Sequence, residues 1–237
     1  MEKQKVLLYD LETSFNKAYC FGKYEQNINQ YQEESRLLSF AYKWLGESKI
    51  YCLSENEVNN EKLVKKLWEV LDEADIIVAH NAKRFDNRKS CSYFLEDRLT
   101  PPSPYKVFDT REFARNKFGF NSNSLDDLGE HLGLGKKERI LDKDKMWVRL
   151  TDRTASKQDW SILKKYNKKD VALLEKVYLL FRPWTTNHAP IHHGKEVCQM
   201  CGGSLMYRGF SFLASGLKKQ RVVCKSCGKW GVLPITK

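Results

Sequence analysis

The sequence predicts an α/β layer fold with a small module appended at its carboxyl end. Short apolar runs at Val6–Leu11 and Asp75–Ala79 alternate with segments of helical periodicity, the pattern of a sheet flanked by helices. A long amphipathic stretch, Ser156–Phe181, closes that part of the chain. Beyond it lie two Cys-x-x-Cys pairs. At about 150 residues per domain, 237 residues fit one medium domain and a small module. With 41% hydrophobic and 30% charged residues, the composition supports a packed core and argues against wholesale disorder.

Val6–Leu11 reads as a buried strand, followed by strands at Arg36–Trp44 and Lys49–Leu53. Glu61–Leu71 places Leu63, Val64, Leu67, Trp68 and Leu71 on one helical face. Asp75–Ala79 is a β-branched run of central-strand character. A helix starts near Asp86 and stops before Thr100-Pro101-Pro102. Val107-Phe108 form a short strand ending at Asp109-Thr110. Ser124 caps a helix with acids in its first turn that runs to about His131, where Gly133 and Gly135 end it. The charged stretch Lys136–Ala155 carries too weak a pattern to assign. In the long helix Val171, Leu174, Val177 and Tyr178 face a core, and Arg182-Pro183 stops it. Residues 1–184 thus form the α/β domain, 185–196 a linker, and 197–237 the module. In the module, Ser204–Leu213 and Lys218–Val223 flank Ala214-Ser215-Gly216 as a hairpin.

Seven cysteines, an odd number, and the absence of a secretion signal argue against a disulfide framework. Met1-Glu2-Lys3-Gln4-Lys5 leads into a short apolar stretch that meets Asp10, which is no signal peptide. No apolar run approaches the ~20 residues of a membrane span, so a cytoplasmic protein without a membrane partner is expected. Cys20, Cys52 and Cys91 read as buried small hydrophobes. Cys198, Cys201, Cys224 and Cys227 have the spacing of a structural site for one Zn²⁺, with Gly202, Gly203 and Gly228 permitting the tight turns. Zinc would replace the core that a module of roughly 50 residues can hardly build alone. A redox Cys-x-x-Cys would need one pair, not two. His188, His192 and His193 are rival ligands, against which stands their reading as polar linker residues.

The net charge is +11, but it is divided. From Arg182 onward nine Lys/Arg face the single acid Glu196, a local charge of +8, while the first 181 residues carry only +3. Such a tail points to a polyanionic partner.

The first part of the chain holds a series of acids. Asp10 and Glu12 sit at i and i+2 of a strand, so both project to one face. Two acids leaving a buried strand end are costly without a cation, and oxygen ligands select Mg²⁺ or Mn²⁺. Asp86 follows the central strand and His80-Asn81. Tyr166 and Asp170 lie at i and i+4 of the long helix, on one face, with Asp170 between Lys169 and a strongly apolar stretch.

Asp10-Leu-Glu12, Asn81-Ala-Lys-Arg-Phe85-Asp86 and Tyr166-Asn-Lys-Lys-Asp170 resemble the three motifs of the DEDD superfamily of 3′–5′ exonucleases, which have a ribonuclease H-like fold. A tyrosine four residues before the last aspartate resembles the tyrosine subclass. Pro101–Thr110, Leu132-Gly-Leu-Gly and the stretch from Asp170 to Trp184 are similar to small phage and bacterial members, some with a terminal zinc ribbon. The resemblance covers about residues 5–183. It implies a ribonuclease H-like mixed sheet flanked by helices, and that Asp10, Glu12, Asp86 and Asp170 hold two divalent ions, Mg²⁺ or Mn²⁺, about 3.5–4 Å apart. One ion would activate a water and the other would stabilise the leaving 3′ oxygen. Tyr166 would orient that water, since phenols, ordinarily ionising near ~10, are poor bases at neutral pH. Thr13 and Ser14 would lie near the terminal nucleotide. Asn81 and His80 would position the Asp86 turn or touch the substrate strand, and Arg88 in the polar Asn87-Arg88-Lys89 would meet a phosphate unless that face is simply solvated.

The module's hairpin mixes Tyr207, Arg208, Phe210 and Phe212 with Lys218, Lys219 and Arg221, the composition of single-strand binding. Four thiolates on one zinc would leave the module near +6. The competing readings are that Phe210, Phe212 and Trp230 pack the small core, and that the module binds a protein partner. The expected activity is metal-dependent 3′–5′ exonucleolysis of single-stranded or frayed DNA or RNA ends, with the module gripping substrate. The alternatives are a ribonuclease H-like endonuclease and a non-catalytic nucleic-acid-binding adaptor.

Overall fold

The computed structural model describes residues 3–22, 24, 28, 30–136, 140–194 and 196–235. Lys195 and Lys237 of the basic tail, Met1 and Glu2 of the amino terminus, and residues 137–139 of the unassigned stretch lie outside the described residues. Five strands form a mixed sheet in the order β3-β2-β1-β4-β5: β1 (Val6–Thr13), β2 (Leu37–Trp44), β3 (Tyr51–Ser54), β4 (Ile76–Ala79) and β5 (Lys106–Asp109). β1, β2 and β3 pair antiparallel; β1, β4 and β5 pair parallel. Among the described residues six helices accompany them: α1 (Asn60–Asp72), α2 (Asp86–Glu96), α3 (Thr110–Lys117), α4 (Leu125–His131), α5 (Lys143–Thr151) and α6 (Lys157–Phe181). The predicted ribonuclease H-like arrangement of a mixed sheet flanked by helices is what the chain forms.

The alternation of β1 sets the layers. Leu7, Tyr9 and Leu11 pack with α1 residues Leu63, Leu67 and Leu71, and with α2 residues Tyr93 and Phe94. Val6 and Leu8 face the opposite way, into a core with Val171, Leu174 and Val177 of α6. Both faces of the strand are buried, which explains its nearly continuous apolar run. Asp10 and Glu12 continue the Val6–Leu8 face toward α6. Because the later part of α6 packs on the beginning of β1, the two elements run antiparallel, and the earlier turns of α6 meet the carboxylates.

The termini of α6 are well defined. Ser156 and Asp159 form a reciprocal capping box, and the helix ends in a 3₁₀ turn, Arg182–Trp184, as Pro183 requires. The Arg149 guanidinium beside Asp159 holds that carboxyl well below its ordinary range, against the opposing effect of burial. This ion pair joins α5 to α6.

Three elements differ from the sequence reading. Helix α3 follows directly on β5 because the Asp109 side chain accepts from the backbone N–H groups of Arg111 and Glu112. Helix α5 fills part of the unassigned stretch, burying only Met146, Trp147, Leu150 and Thr151. A strand β8 (Trp230–Pro234) adds to the hairpin of β6 (Leu205–Phe212) and β7 (Lys218–Cys224). Cys20 and Cys91 are exposed, which corrects their reading as buried hydrophobes, and Cys52 in β3 is half-buried. Cys20 lies in an extended loop after β1, and Cys91 is on the outward face of α2, so neither meets a core. Among the described residues no helix is long and apolar enough to cross a membrane.

The segment between α6 and the module is tied to both. Ile191 is fully buried against the α6 core, its carbonyl accepts from Gln4 N–H at 3.1 Å, and its N–H donates to Gln199 at 2.8 Å. The His188 ring bonds the Tyr178 hydroxyl at 2.8 Å and packs against Phe108, 5.0 Å between centroids.

Candidate active site

Asp10, Glu12 and Asp170 each offer a carboxylate oxygen within 4.8 Å of the others. The first two come from β1 and the third, 1% exposed, from α6. Asp86, 2% exposed, stands outside this group but beside it. It opens α2, and its Oδ1 accepts from the Leu11 backbone N–H, between the two β1 acids, at 3.2 Å. That donor is available because β1 pairs with β4 only through Val6–Leu8, so the strands separate just before the acids. Burial first, and the Asp86 carboxylate next, push the neighbouring Tyr9 phenol well above its ordinary value.

Asn167 is a site residue that the motif reading does not name. Fully buried, it donates Nδ2–H to Asp10 Oδ2 at 2.7 Å and to the Asp10 carbonyl at 3.2 Å. Its own Oδ1 accepts from Ser39 Oγ at 3.1 Å, which fixes the amide's orientation. Ser39 is the β2 residue paired with Glu12. One Asp10 oxygen is therefore anchored to protein. The signal was present in sequence, since Asn167 is three residues before Asp170 and shares its helix face, but its partner on β1 was not.

Tyr166 is one turn before Asp170 and is 6% exposed. The Lys143 ammonium, from α5, donates to its hydroxyl oxygen at 3.2 Å and lies 4.5 Å from its ring centroid and 4.7 Å from that of Trp147. Helix α5 is held in place by Trp147 Nε1–H to the Thr13 carbonyl at 3.1 Å, and by Arg36 donating to the Leu150 and Thr151 carbonyls at 2.8 and 3.0 Å. The unassigned stretch thus supplies one wall of the site. His80 spends both ring nitrogens on Thr110 Oγ1 and the Asn123 carbonyl, a structural use. Asn81, at φ 76°, bonds Asp109 through its backbone N–H. Arg88 is exposed on α2.

Residues 8–181, about three quarters of the chain, match the family model of RNase_H_2, in the RNase_H superfamily. The chain belongs to the RNase_H superfamily. Among curated proteins none matches it. Among solved structures, this RNase_H chain is similar to the family B DNA polymerase from the hyperthermophilic archaeon Pyrobaculum calidifontis, with a TM-score of 0.59 and 13% identity. The likeness covers 77% of this chain and 25% of the polymerase, and at that identity it speaks for the fold alone. Superfamily membership supports nuclease activity in general, for which the acidic cluster is the candidate centre.

The second cluster joins Cys198, Cys201, Cys224 and Cys227, whose sulfurs also fall within 4.8 Å of one another. Cys198–Cys227 are 3.7 Å and Cys201–Cys224 3.5 Å apart. Those separations are far from the ~2.05 Å of a disulfide and near the ~3.8 Å edge of a tetrahedron with Zn–S of ~2.3 Å. The Cys224 thiol is lowered to about 7: burial opposes the shift, and backbone N–H groups of Cys227 and Ser226 overcome it. The cluster fits a zinc ribbon. Its interior is Cys198, Met200 and Cys224 with Cys201, Leu205 and Cys227 around them. Phe210, Phe212 and Trp230 are 49%, 70% and 53% exposed and do not fill it.

The ribbon's aromatic and basic residues divide between two faces. Phe210 and Phe212 pair with Gln220 and Lys218, and the Lys218 ammonium lies 3.9 Å from the Phe210 centroid. A bulge at Gly209, φ 72°, brings Tyr207 to that same face. Lys219, Arg221 and Trp230 share the opposite face, with Arg221 5.2 Å from the Trp230 centroid. Arg208 sits exposed within the bulge.

Proposed function

We propose that this RNase_H chain is a 3′–5′ exonuclease of single-stranded or frayed DNA or RNA ends. Asp10, Glu12, Asp86 and Asp170 hold two divalent cations, Mg²⁺ or Mn²⁺. The observation that carries the reading is the convergence of three carboxylate oxygens within 4.8 Å where a buried strand meets a buried helix. Two oxygen ligands on one hard cation at ~2.0–2.1 Å lie up to ~4.2 Å apart, so the donor set suits such an ion. Divalent cations there would supply Lewis acidity to an attacking water and to the scissile phosphate.

The chain's own residues do the rest. Asn167 fixes one oxygen of Asp10 and so aims the other. Asp86 holds the β1 end through Leu11. Lys143 donates to the Tyr166 oxygen, which directs the phenol's own proton away from Lys143, in an orientation suited to positioning water. The order of the motifs and the tyrosine four residues before Asp170 support the exonuclease direction by resemblance. Asn81, before α2, and Arg88, in its first turn, are strand contacts. Cys198, Cys201, Cys224 and Cys227 hold one Zn²⁺, shaping a ribbon whose Tyr207, Phe210 and Lys218 face offers stacking and a phosphate contact, with Arg208 in the bulge beside it and Lys219 and Arg221 behind. A single face so equipped engages one strand; a protein partner could then occupy the Trp230 face.

Asn167→Ala is expected to weaken Mn²⁺ binding about 10- to 100-fold, the usual effect of removing a group that orients a metal ligand. Titration calorimetry on protein freed of divalent metal measures it, and unchanged affinity in a folded variant would show that Asp10 needs no anchor. The function itself is tested by digestion of a closed single-stranded DNA circle beside its linearised form. The linear strand should shorten and the circle persist; cutting of the circle would make the chain an endonuclease.

A further inference from the structure

A polar cavity of 130 Å³ lies where the chain leaves the carboxyl ends of β4 and β5, outside the carboxylate cluster. Its walls are the turn after β4, with Lys83 and Arg84, and helix α3, with Arg111, Glu112 and Arg115. Lys83 and Glu112 are ion-paired with each other. The other acid, Asp109, is buried and spends its carboxylate on backbone. It accepts from the N–H groups of Asn81 and Arg111 at 3.0 Å, and from those of Lys83 and Glu112 at 3.1 Å. Arg84, Arg111 and Arg115 are exposed, and among the described residues their guanidinium groups have no ion pair or hydrogen bond. Arg111 and Arg115, at i and i+4, share one face of α3. The cavity has room for on the order of four waters at ~30 Å³ each, well below the ~300 Å³ at which pockets for whole small ligands begin. A phosphate group suits that volume, and guanidinium forks match its oxygens in geometry and charge.

Sheet topology relates this cavity to the carboxylates. β1, β4 and β5 are parallel neighbours, with Leu8, Val78 and Phe108 at one level. Their carboxyl ends therefore lie on one edge of the sheet, the edge at which α/β folds bind ligands. Asp10 and Glu12 leave that edge from β1, and Asp109 leaves it from β5. Two strand spacings of ~4.8 Å, about 10 Å, separate β1 from β5. Arg84 also stands two residues before Asp86, in a turn closed by the Phe85 N–H donating to the Asn81 carbonyl at 2.9 Å. A stacked strand advances ~3.4 Å per nucleotide, so about three nucleotides cover that distance. We propose that Arg84, Arg111 and Arg115 bind a phosphate of the nucleic-acid strand about three nucleotides from the bond that is cut. The inference rests on the proposed function for the identity of the strand and extends it: strand retention belongs to the catalytic domain as well as to the ribbon.

The test is removal of the first nucleotide, with Mg²⁺, from oligothymidylates that each carry one neutral methylphosphonate linkage at a different distance from the 3′ end. With the unsubstituted protein, the linkage about three from the end should lower kcat/KM by about 10- to 100-fold, the scale of hydrogen bonds to charged groups. Combined Arg84→Gln, Arg111→Gln and Arg115→Gln should raise KM for the natural strand by a similar factor with kcat unchanged. In that variant the same neutral linkage should have no further effect, because the two changes remove one contact. Combined Lys62→Gln, Lys65→Gln and Lys66→Gln on α1 removes as much charge elsewhere and should leave the sensitive linkage sensitive. An identical linkage profile in the Arg→Gln variant and the unsubstituted protein, with cutting normal, would overturn the phosphate site and leave the nuclease reading standing. Failure of the unsubstituted protein to cut any strand would overturn both. Calorimetry with inorganic phosphate and thymidine 5′-monophosphate distinguishes the source of the phosphate. Binding of either that is lost in the Arg→Gln variant, with no sensitive linkage in the strand, would mark a free-phosphate site and overturn the strand contact.

Discussion

Asp170→Asn is expected to slow hydrolysis of a linear strand by on the order of a thousandfold, the scale of losing a group that stabilises transition-state charge. The substitution keeps shape and one oxygen but removes the charge. Asp170 is 1% exposed and precedes a face, Val171 and Leu174, that packs the core against β1, so an isosteric change leaves that packing intact. A second consequence separates function from folding. Three carboxylates whose oxygens fall within 4.8 Å repel one another when no cation offsets them. In EDTA, Asp170→Asn should therefore melt at a higher temperature than the unsubstituted chain, and added Mg²⁺ should raise the melting point of the unsubstituted chain more than that of the variant. Initial rates and thermal melts in both conditions measure this. Retention of activity within tenfold, after exclusion of contaminating nuclease, would remove the carboxylate from the mechanism.

Replacing Cys198 and Cys224 together by Ser should eliminate about one tightly held zinc per chain and unfold the ribbon while the α/β domain stays folded. The ribbon's buried residues among those described are Cys198, Met200, Val222 and Cys224, two of them cysteines of the cluster, so the apolar burial available is too small to hold it. A structural zinc supplies roughly 10–16 kcal/mol toward folding in such modules. Metal analysis of the purified protein, and proteolysis across the ribbon, read the two effects. Zinc retained by the double variant would implicate other ligands; of the nearby histidines, His188 already bonds the Tyr178 hydroxyl and the Ala189 carbonyl through its two ring nitrogens. A ribbon that stays folded without zinc would overturn the metal-held reading of the module.

Much of this was legible in sequence because the chemistry is written in short-range spacing. Asp10 and Glu12 share a face because strand residues alternate, and the apolar run before them says that both faces are covered. The two Cys-x-x-Cys pairs carry their tetrahedron in their turns. What was not legible depends on partners distant in sequence. Asn167 stands in plain view within the Tyr166–Asp170 motif, yet its role exists only because α6 runs antiparallel to β1 and delivers the amide to Asp10. Helix α5 has a narrow buried stripe among charged residues, and Arg36, some hundred residues earlier, fixes its carboxyl end. In the ribbon, the bulge at Gly209 alters the strand's alternation, so the division of aromatics and cations between two faces could not be counted out from residue numbers.

The +11 charge also acquires a location. The acids that converge near β1 belong to the candidate metal centre, and most of the cationic excess lies from Arg182 onward, in the ribbon and the segment before it. A polyanion would be drawn to these surfaces, and the carboxylates would repel its scissile phosphate until cations are bound.

Digestion of a single strand labelled at its 5′ end, with Mg²⁺ or Mn²⁺, reads both the direction and the mode of cleavage. A 3′–5′ exonuclease should give a ladder of labelled products that shortens progressively from the 3′ end, with no labelled mononucleotide until the strand is consumed. Immediate release of the label as a mononucleotide, or one discrete internal product, would contradict it.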